Sequence, residues 1–372
     1  MSNEKNSVKK YRKIREKEVE RKVGTEIAIY YVKELENKRK GKTMSYPIDV
    51  RVISKSEAEL LATPEDVLEV VDETFKELGN GQIFHPVKEP MWMGKENANM
   101  LIAMPAHLKE KKIVGMKWVN LFTYQQKGLP SSYGNILILS HEENGQPYAI
   151  IEATPITTMR TAGGHGVVAA KYLAKKDSKI LAVVGCGAEG MAGIKSFLVA
   201  FPELGELRVC DRNPEALERV KEEFGDKIKV NTFTEAKEAV ESADIVMLVT
   251  TARKPIVMYE WLKKGAFVSG LYSFHDLDPE CSRKADKWYM GSKETDYHQI
   301  VNAPYLAPYN LSMDNVFGDL GEVATGRCVG RENDDEIIIY THMGMGALDI
   351  AVGDLIYRRA VEKNVGTMMD LS

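Results

Sequence analysis

The stretch Gly185-Cys186-Gly187-Ala188-Glu189-Gly190 constrains the fold more than any other part of the chain. It follows an apolar run at 180–184 and opens a segment of helical composition. Asp211 ends the next apolar run, 21 residues after Gly190. A lone GxGxxG is a weak signal; between strand and helix, with an acid at this distance, it is the dinucleotide-binding fingerprint. Gly185 then makes the tight turn, Gly187 lets the backbone approach a pyrophosphate, and Gly190 permits close helix–strand packing. The helix N-terminus, with Ala188 and Glu189 leading into it as cofactor-binding residues, offers N–H groups and partial positive charge to the phosphates. Asp211 can accept hydrogen bonds from both ribose hydroxyls and repels a 2′-phosphate, which favours NAD. Arg212 beside it keeps NADP open, since a guanidinium there could meet a phosphate or stack on adenine. Thr250 and Thr251, past the strand expected at 245–249, complete the cofactor-binding set.

Around this turn, strands and helices alternate. Strands are expected at 180–184, 207–210, near 228, 245–249 and 267–271, with helices at 190–201, 214–223 and 234–241. Such spacing indicates βαβ units and a Rossmann-type, doubly wound parallel sheet. Upstream, 48–53 reads as a strand, and Thr63-Pro64-Glu65-Asp66 as a helix start followed by a helix over 67–78. Apolar runs at 101–104, 113–119 and 135–139, with a hairpin-type turn at Glu143-Asn144-Gly145-Gln146-Pro147, predict a mixed α+β domain. A single helix is expected from Thr154-Pro155 to about Lys175, and another over 345–363 that returns to the first domain. The chain therefore divides into an α/β pair. A charged helical extension (1–44) precedes a substrate and dimerisation domain (45–155), a dinucleotide domain (156–344) and a returning C-terminal helix (345–372).

Composition narrows the class. Apolar residues make up 44% and charged residues 28%, as in ordinary globular chains, and no apolar run approaches a membrane span. The N-terminus is too charged for a signal peptide, and Cys186, Cys210, Cys281 and Cys328 form no CxxC pair. Core thiols in a reducing cytoplasm are expected, with no metal site. Residues 1–43 hold 14 Lys/Arg and 7 Glu, a local charge of +7 against a total of −4. The signs are interleaved, which suits a solvated helix better than a nucleic-acid-binding surface.

Two cations sit on otherwise apolar elements. Lys117 lies within the run 113–119, where alternation puts it on one face with Gly115 and Val119. Arg160 lies in Thr157-Thr158-Met159-Arg160-Thr161-Ala162-Gly163-Gly164, which opens a helix of small residues. Either alone reads as a snorkelling surface cation; together, feeding the mouth of a nucleotide fold, they point to an anion site. Arg offers a two-pronged grip on a carboxylate, and Lys a point charge near an amine or carbonyl. Gly163, Gly164 and Gly166 each cost the helix about 1 kcal/mol relative to Ala. Close packing against the sheet or the cofactor would account for them. His165 among them suits a structural role as well as a functional one.

From about residue 46 to 370 the sequence resembles the ornithine cyclodeaminase/mu-crystallin family. The resemblance rests on Met104-Pro105-Ala106, Gly115-Met116-Lys117-Trp118-Val119, Gly128-Leu129-Pro130, Thr157 to Ala162 and the glycine turn. It continues through Asp319-Leu320-Gly321-Glu322-Val323-Ala324-Thr325-Gly326-Arg327, Gly330-Arg331 and Gly346-Ala347-Leu348-Asp349. It implies a homodimer built through the first domain and hydride transfer between NAD(P) and the α-carbon of an amino acid. The imine so formed is hydrolysed by a dehydrogenase or cyclised with loss of ammonia by a cyclodeaminase; a ketimine reductase runs the hydride step in reverse. By family position Arg160 holds the substrate carboxylate, and Lys117 contacts the carboxylate or polarises the reacting nitrogen or water. Two departures stand out. Lys88 replaces a family arginine that makes a second carboxylate contact, so charge survives but the fork is lost. Tyr272 stands where ornithine cyclodeaminases and archaeal alanine dehydrogenases carry a catalytic aspartate. The run Ser273-Phe274-His275-Asp276 is similar instead to the branch that makes amino-acid conjugates. Asp276 and His275 become the candidate acid–base groups, with helix capping before Pro279 as the structural alternative for Asp276.

Overall fold

The computed structural model describes residues 48–93, 99–122, 134–271, 275–301 and 304–372. Residues 1–47, the Gly128-Leu129-Pro130 motif, Tyr272, Ser273 and Phe274 lie outside them, and with them the charged helical extension. Residues 50–369 form one compact unit; Ile48, Asp49 and Asp370–Ser372 belong to another, where Leu371 N–H donates to Ile48 O at 2.9 Å.

The first sheet contains β1 (Asp49–Ile53), β2 (Ile83–Phe84), β3 (Met91–Met93), β4 (Asn99–Leu108), β5 (Ile113–Leu121), β6 (Ile136–His141) and β7 (Pro147–Glu152). Its central order is β1-β7-β6-β5-β4-β2; β1 and β7 run parallel and the remaining neighbours antiparallel. The turn between β6 and β7 falls where the Glu143–Pro147 pentapeptide predicts it, with Gly145 at φ +74°. Alternation in β5 buries residues 113, 115, 117 and 119 on one face, so Lys117 shares a face with Gly115 and Val119 as expected, and that face is the inner one.

The Pro64–Gly79 helix begins as its sequence predicts. Thr63 Oγ1 accepts from Asp66 N–H, and the Asp66 carboxylate accepts from Thr63 N–H at 2.8 Å. The expected single helix over 154–175 is interrupted. Its outer parts, Thr154–Thr158 and Val167–Leu173, are α-helical, but Met159–Gly166 is π-helical. Gly163 and Gly164 pack on neighbouring helices rather than on the sheet. A Cβ on Gly163 would lie 3.1 Å from Ser196 Oγ, and one on Gly164 would lie 2.8 Å from Val71. That close approach offsets the loss of helix propensity, and a wide turn of this kind commonly marks a functional position.

The second sheet is wholly parallel. It contains β8 (Ile180–Val184), β9 (Glu206–Cys210), β10 (Lys229–Phe233), β11 (Ile245–Leu248), β12 (Phe267–Leu271), β13 (Lys287–Met290), β14 (Gly318–Asp319) and β15 (Ile338–His342). The order is β10-β9-β8-β11-β12-β15-β13-β14. The order in which strands are added reverses at β8, which lies between β9 and β11, and ligands of open parallel sheets bind at the carboxyl ends of strands beside such a switch. The glycine turn follows β8.

The Gly346–Glu362 helix packs back on β4, β5 and β6. A Cβ on Gly346 would meet Met104 O at 2.4 Å, and one on Gly353 would meet Leu137 at 2.0 Å. Two of the sequence motifs serve packing elsewhere in the fold. Asp319 and Glu322 form a capping box on the Leu320–Ala324 helix, and Gly321 lies against Gly79. Arg331 donates to the carbonyls of Leu173 and Glu336. Cys186, Cys210 and Cys281 are buried and Cys328 half-buried, all as free thiols.

Candidate functional site

Gly185 adopts φ +103°, a conformation that favours glycine, and a Cβ there would lie 2.5 Å from Val249 O. A Cβ on Gly190 would fall 2.1 Å from Gly185 O, so this position must be bare for the helix to reach the strand. Gly187 differs: a Cβ there meets nothing within 4 Å. The turn is therefore tight on the protein side and open on the outer side, where the Ala188–Ala200 helix begins. That is the shape a pyrophosphate requires. The Asp211 carboxylate accepts from Cys186 N–H (2.7 Å) and Asn213 N–H (2.9 Å), which fixes it to the turn. Arg212 and Thr251 are exposed beside this edge.

The Glu189 side chain does not face that outer side. It accepts from Ala162 N–H at 3.1 Å, in the π-helical segment two residues past Arg160. Burial pushes the Glu189 carboxyl up to about 7, against the pull of Arg160. The turn and the Arg160 segment are thus joined by a hydrogen bond.

Lys117 and Arg160, placed together by sequence, meet in the interior. Lys117 Nζ donates to Asp349 Oδ1 at 2.8 Å and to Thr157 Oγ1 at 3.1 Å, while Arg160 Nε donates to the same Asp349 oxygen at 2.8 Å. Lys117 is 1% exposed and Asp349 0%. Burial pushes Lys117 down to about 8 although Asp349 opposes it. Burial alone would raise Asp349, but Arg160 and Lys117 outweigh it and hold the carboxyl below its usual range. Lys88 approaches from the other side, donating to the carbonyls of Met343 and Gly344, and burial takes it down to about 8. A small cavity lies there, lined by Lys88, Met104, Thr295, Asp296, Gly344 and Met345 among others. Asp296 is raised to about 6 by burial, with Lys88 opposing.

The acid–base candidates stand at the ends of β11 and β12. Asp276 is 0% exposed; its Oδ2 accepts from Thr250 Oγ1 at 2.9 Å, and Oδ1 has no partner among the described residues. Burial raises its carboxyl to about 7, against the Thr250 hydrogen bond. Capping does not explain it: Asp278 caps the Pro279–Lys284 helix, accepting from Glu280 N–H at 3.1 Å. His275 is half-buried, and burial with Arg253 nearby holds its imidazole below the usual range. His165 is fully buried, bonded through Nε2 to Tyr340 Oη and tilted at 37° against His342 with centroids 3.3 Å apart. It belongs to the packing beneath the cations. Sequence reasoning missed Asp349 and Asp296 as site residues. A lone acid on the apolar face of the terminal helix was the available signal for Asp349.

An all-parallel sheet with its glycine turn at the switch point puts this chain among Rossmann-type dinucleotide-binding proteins. More narrowly, it belongs to the ornithine cyclodeaminase/mu-crystallin family, whose model matches residues 49–364. It is 34% identical over 299 residues to the N-((2S)-2-amino-2-carboxyethyl)-L-glutamate dehydrogenase of Staphylococcus aureus, covering 77% of this chain and 87% of that protein. Among solved structures, the Thermococcus litoralis Δ1-pyrroline-2-carboxylate reductase in complex with NADH and L-proline is similar, with 30% identity and a TM-score of 0.78. The match covers 86% of this chain and 99% of that one. An archaeal alanine dehydrogenase dimer with bound NAD gives 28% identity and a TM-score of 0.78, covering 87% of this chain and 100% of that one.

Proposed function

We propose that this protein is an NAD-dependent oxidoreductase that exchanges hydride with the α-carbon of an amino acid or its imine. The observation that carries the reading is the convergence of Lys117 and Arg160 in a buried site one hydrogen bond from the dinucleotide turn. Such a pair recognises an organic carboxylate, and hydride transfer needs that carboxylate's α-carbon held beside a nicotinamide. The similar dehydrogenase and the NADH- and proline-bound reductase support the same chemistry.

The open side of Gly187 and the N-terminus of the Ala188–Ala200 helix would hold the pyrophosphate, and Asp211 the ribose hydroxyls. NAD supplies the hydride acceptor when bound. Arg160, with Lys88 and Lys117, holds the carboxylate and presents the α-carbon. Asp276, poised near 7, takes the proton released from the substrate amine, with His275 beside it as the alternative carrier. Water then adds to the imine to give keto acid and ammonia. In the other direction the same groups deliver a proton to the nitrogen as hydride returns to carbon.

The outer face of the first sheet supports a homodimer. Met116 pairs with Ile138 and Ile138 with Ile150, while Trp118 pairs with Ile136, all part-exposed or exposed on the face away from Lys117. An apolar sheet face that no described residue covers is suited to association. Cytoplasmic residence fits free thiols, and no helix among the described residues is long and apolar enough to cross a membrane.

The test is incubation with NAD+ and a panel of amino acids that includes ornithine, following NADH absorbance and ammonia together. Net NADH with ammonia is the expected result. Ammonia and proline without net NADH would assign a cyclodeaminase. Silence in both, and in reduction of a cyclic imine by NADH, would remove the oxidoreductase reading.

A further inference from the structure

The mechanism above leaves unused the buried group that both substrate cations touch. We infer that Asp349 is the positioning residue of the carboxylate site: it aims Arg160 by occupying Nε and keeps Lys117 charged in the interior. The inference deepens the proposed function and rests on it for the identity of the ligand.

Asp349 stands at the first turn of the Gly346–Glu362 helix. The helix can come this close because two positions lack side chains. A Cβ on Gly346 would lie 2.4 Å from Met104 O, and one on Gly115 would lie 3.0 Å from Ile350 Cγ1. Gly115 shares its strand face with Lys117, so the approach sets the carboxylate against the ammonium. One oxygen then accepts from Lys117 Nζ and Arg160 Nε, each at 2.8 Å. The other, Oδ2, is buried with no hydrogen-bond partner among the described residues. A half-satisfied buried carboxylate is a poor way to stabilise a fold. It is a good way to fix two cations that come from different elements.

The guanidinium has a fork at Nη1 and Nη2 and a side at Nε. With the side taken by Asp349, the fork is left to grip a ligand carboxylate end-on. Nη1 sits 2.7 Å from where a Cβ on Gly344 would be, so position 344 must stay bare for the fork to keep its place. Thr157 accepts a hydrogen bond from Lys117 but carries no charge to balance it; burial and the neighbouring Arg160 both drive Lys117 towards the neutral form, and Asp349 opposes them.

The experiment compares the wild type with Asp349→Asn and Asp349→Glu. For Asp349→Asn, kcat/KM for the amino acid should fall at least tenfold while NADH affinity, read by fluorescence, stays within about twofold. The pH limb belonging to Lys117 should move to lower pH, because the group that favours its charged form is gone. Trace acetylation of Lys117, quantified by mass spectrometry across pH, should show the same downward movement and needs no turnover. Asp349→Glu keeps the charge on a longer arm, so KM should rise while the limb stays in place. A scaled-down profile with an unmoved limb and an unmoved Lys117 labelling midpoint would overturn the inference and leave Asp349 a structural acid. If Asp349→Asn fails to fold, an unchanged KM in Asp349→Glu overturns it instead. Wild-type protein silent on every amino acid would remove the oxidoreductase reading, and the labelling midpoints would still decide the role of Asp349.

Discussion

Replacing Thr250 by valine tests whether Asp276 is the group whose ionisation controls turnover. The Thr250 hydroxyl donates to Asp276 Oδ2 at 2.9 Å and is its side-chain hydrogen-bond partner among the described residues. The carboxyl stands near 7 because burial raises it and this bond lowers it. A hydrogen bond to a charged group contributes about 1.5–3 kcal/mol, and one pKa unit corresponds to about 1.4 kcal/mol. Valine is close in shape but cannot donate, so the Asp276 pKa should rise by about 1–2 units. If ionised Asp276 accepts the amine proton, the acid limb of kcat/KM for amino-acid oxidation moves up by that amount, and the reductive direction gains activity at higher pH. Thr250→Ser keeps the donor and should keep the limb. The assay is initial-rate NADH formation from pH 5 to 10. A limb that stays in place in Thr250→Val, in protein that still binds NADH, would show that Asp276 is not the titrating base.

Arg160→Lys should lower kcat/KM by about 1.5–3 kcal/mol, the worth of a charge-assisted contact, since an ammonium replaces the separate Nε side and Nη fork by a point charge without two-pronged geometry. Unaltered steady-state kinetics would take Arg160 out of the site. Asp211→Ala should weaken NAD binding and narrow the preference for NAD over NADP; it also frees Cys186 N–H, which Asp211 now accepts from. Titration of both cofactors checks this, and a constant ratio would refute the ribose assignment. Asp276→Asn should stabilise the fold at alkaline pH. Its folded pKa of about 7 lies above the ordinary 3.8, so ionisation costs the folded state free energy that grows as pH rises from 4 to 7. The gain should be at most about 4 kcal/mol above pH 7 and small at pH 4. Thermal melts at both pH values read it, and equal shifts would argue against a strained carboxylate.

Local chemistry made much of this protein legible in its sequence. The glycine turn, its flanking strand and helix and Asp211 are all within reach of one another along the chain, so their spacing specifies their geometry. Thr63-Pro64-Glu65-Asp66 announces its helix for the same reason, since a capping box is closed by residues three apart. Strand alternation put Lys117 on one face with Gly115 and Val119, and the fold made that face the inner one. What failed was whatever depended on distant partners. Gly163 and Gly164 face helices that begin at Ala188 and Pro64, so the sequence could register their cost but not what they pack on. The π-helical turn at Met159–Gly166 arises from that packing and has no periodicity of its own to read.

The site divides along the same line. The sequence by itself determined the cofactor turn and the presence of two cations in apolar surroundings. Only the tertiary structure decided that these cations share one carboxylate, because Lys117 and Asp349 are 232 residues apart and meet through the returning helix. It also decided that Glu189 turns from the phosphate side towards Ala162, and that Asp278 rather than Asp276 caps its helix. Those are questions of desolvation and reach, and both depend on what the fold brings alongside.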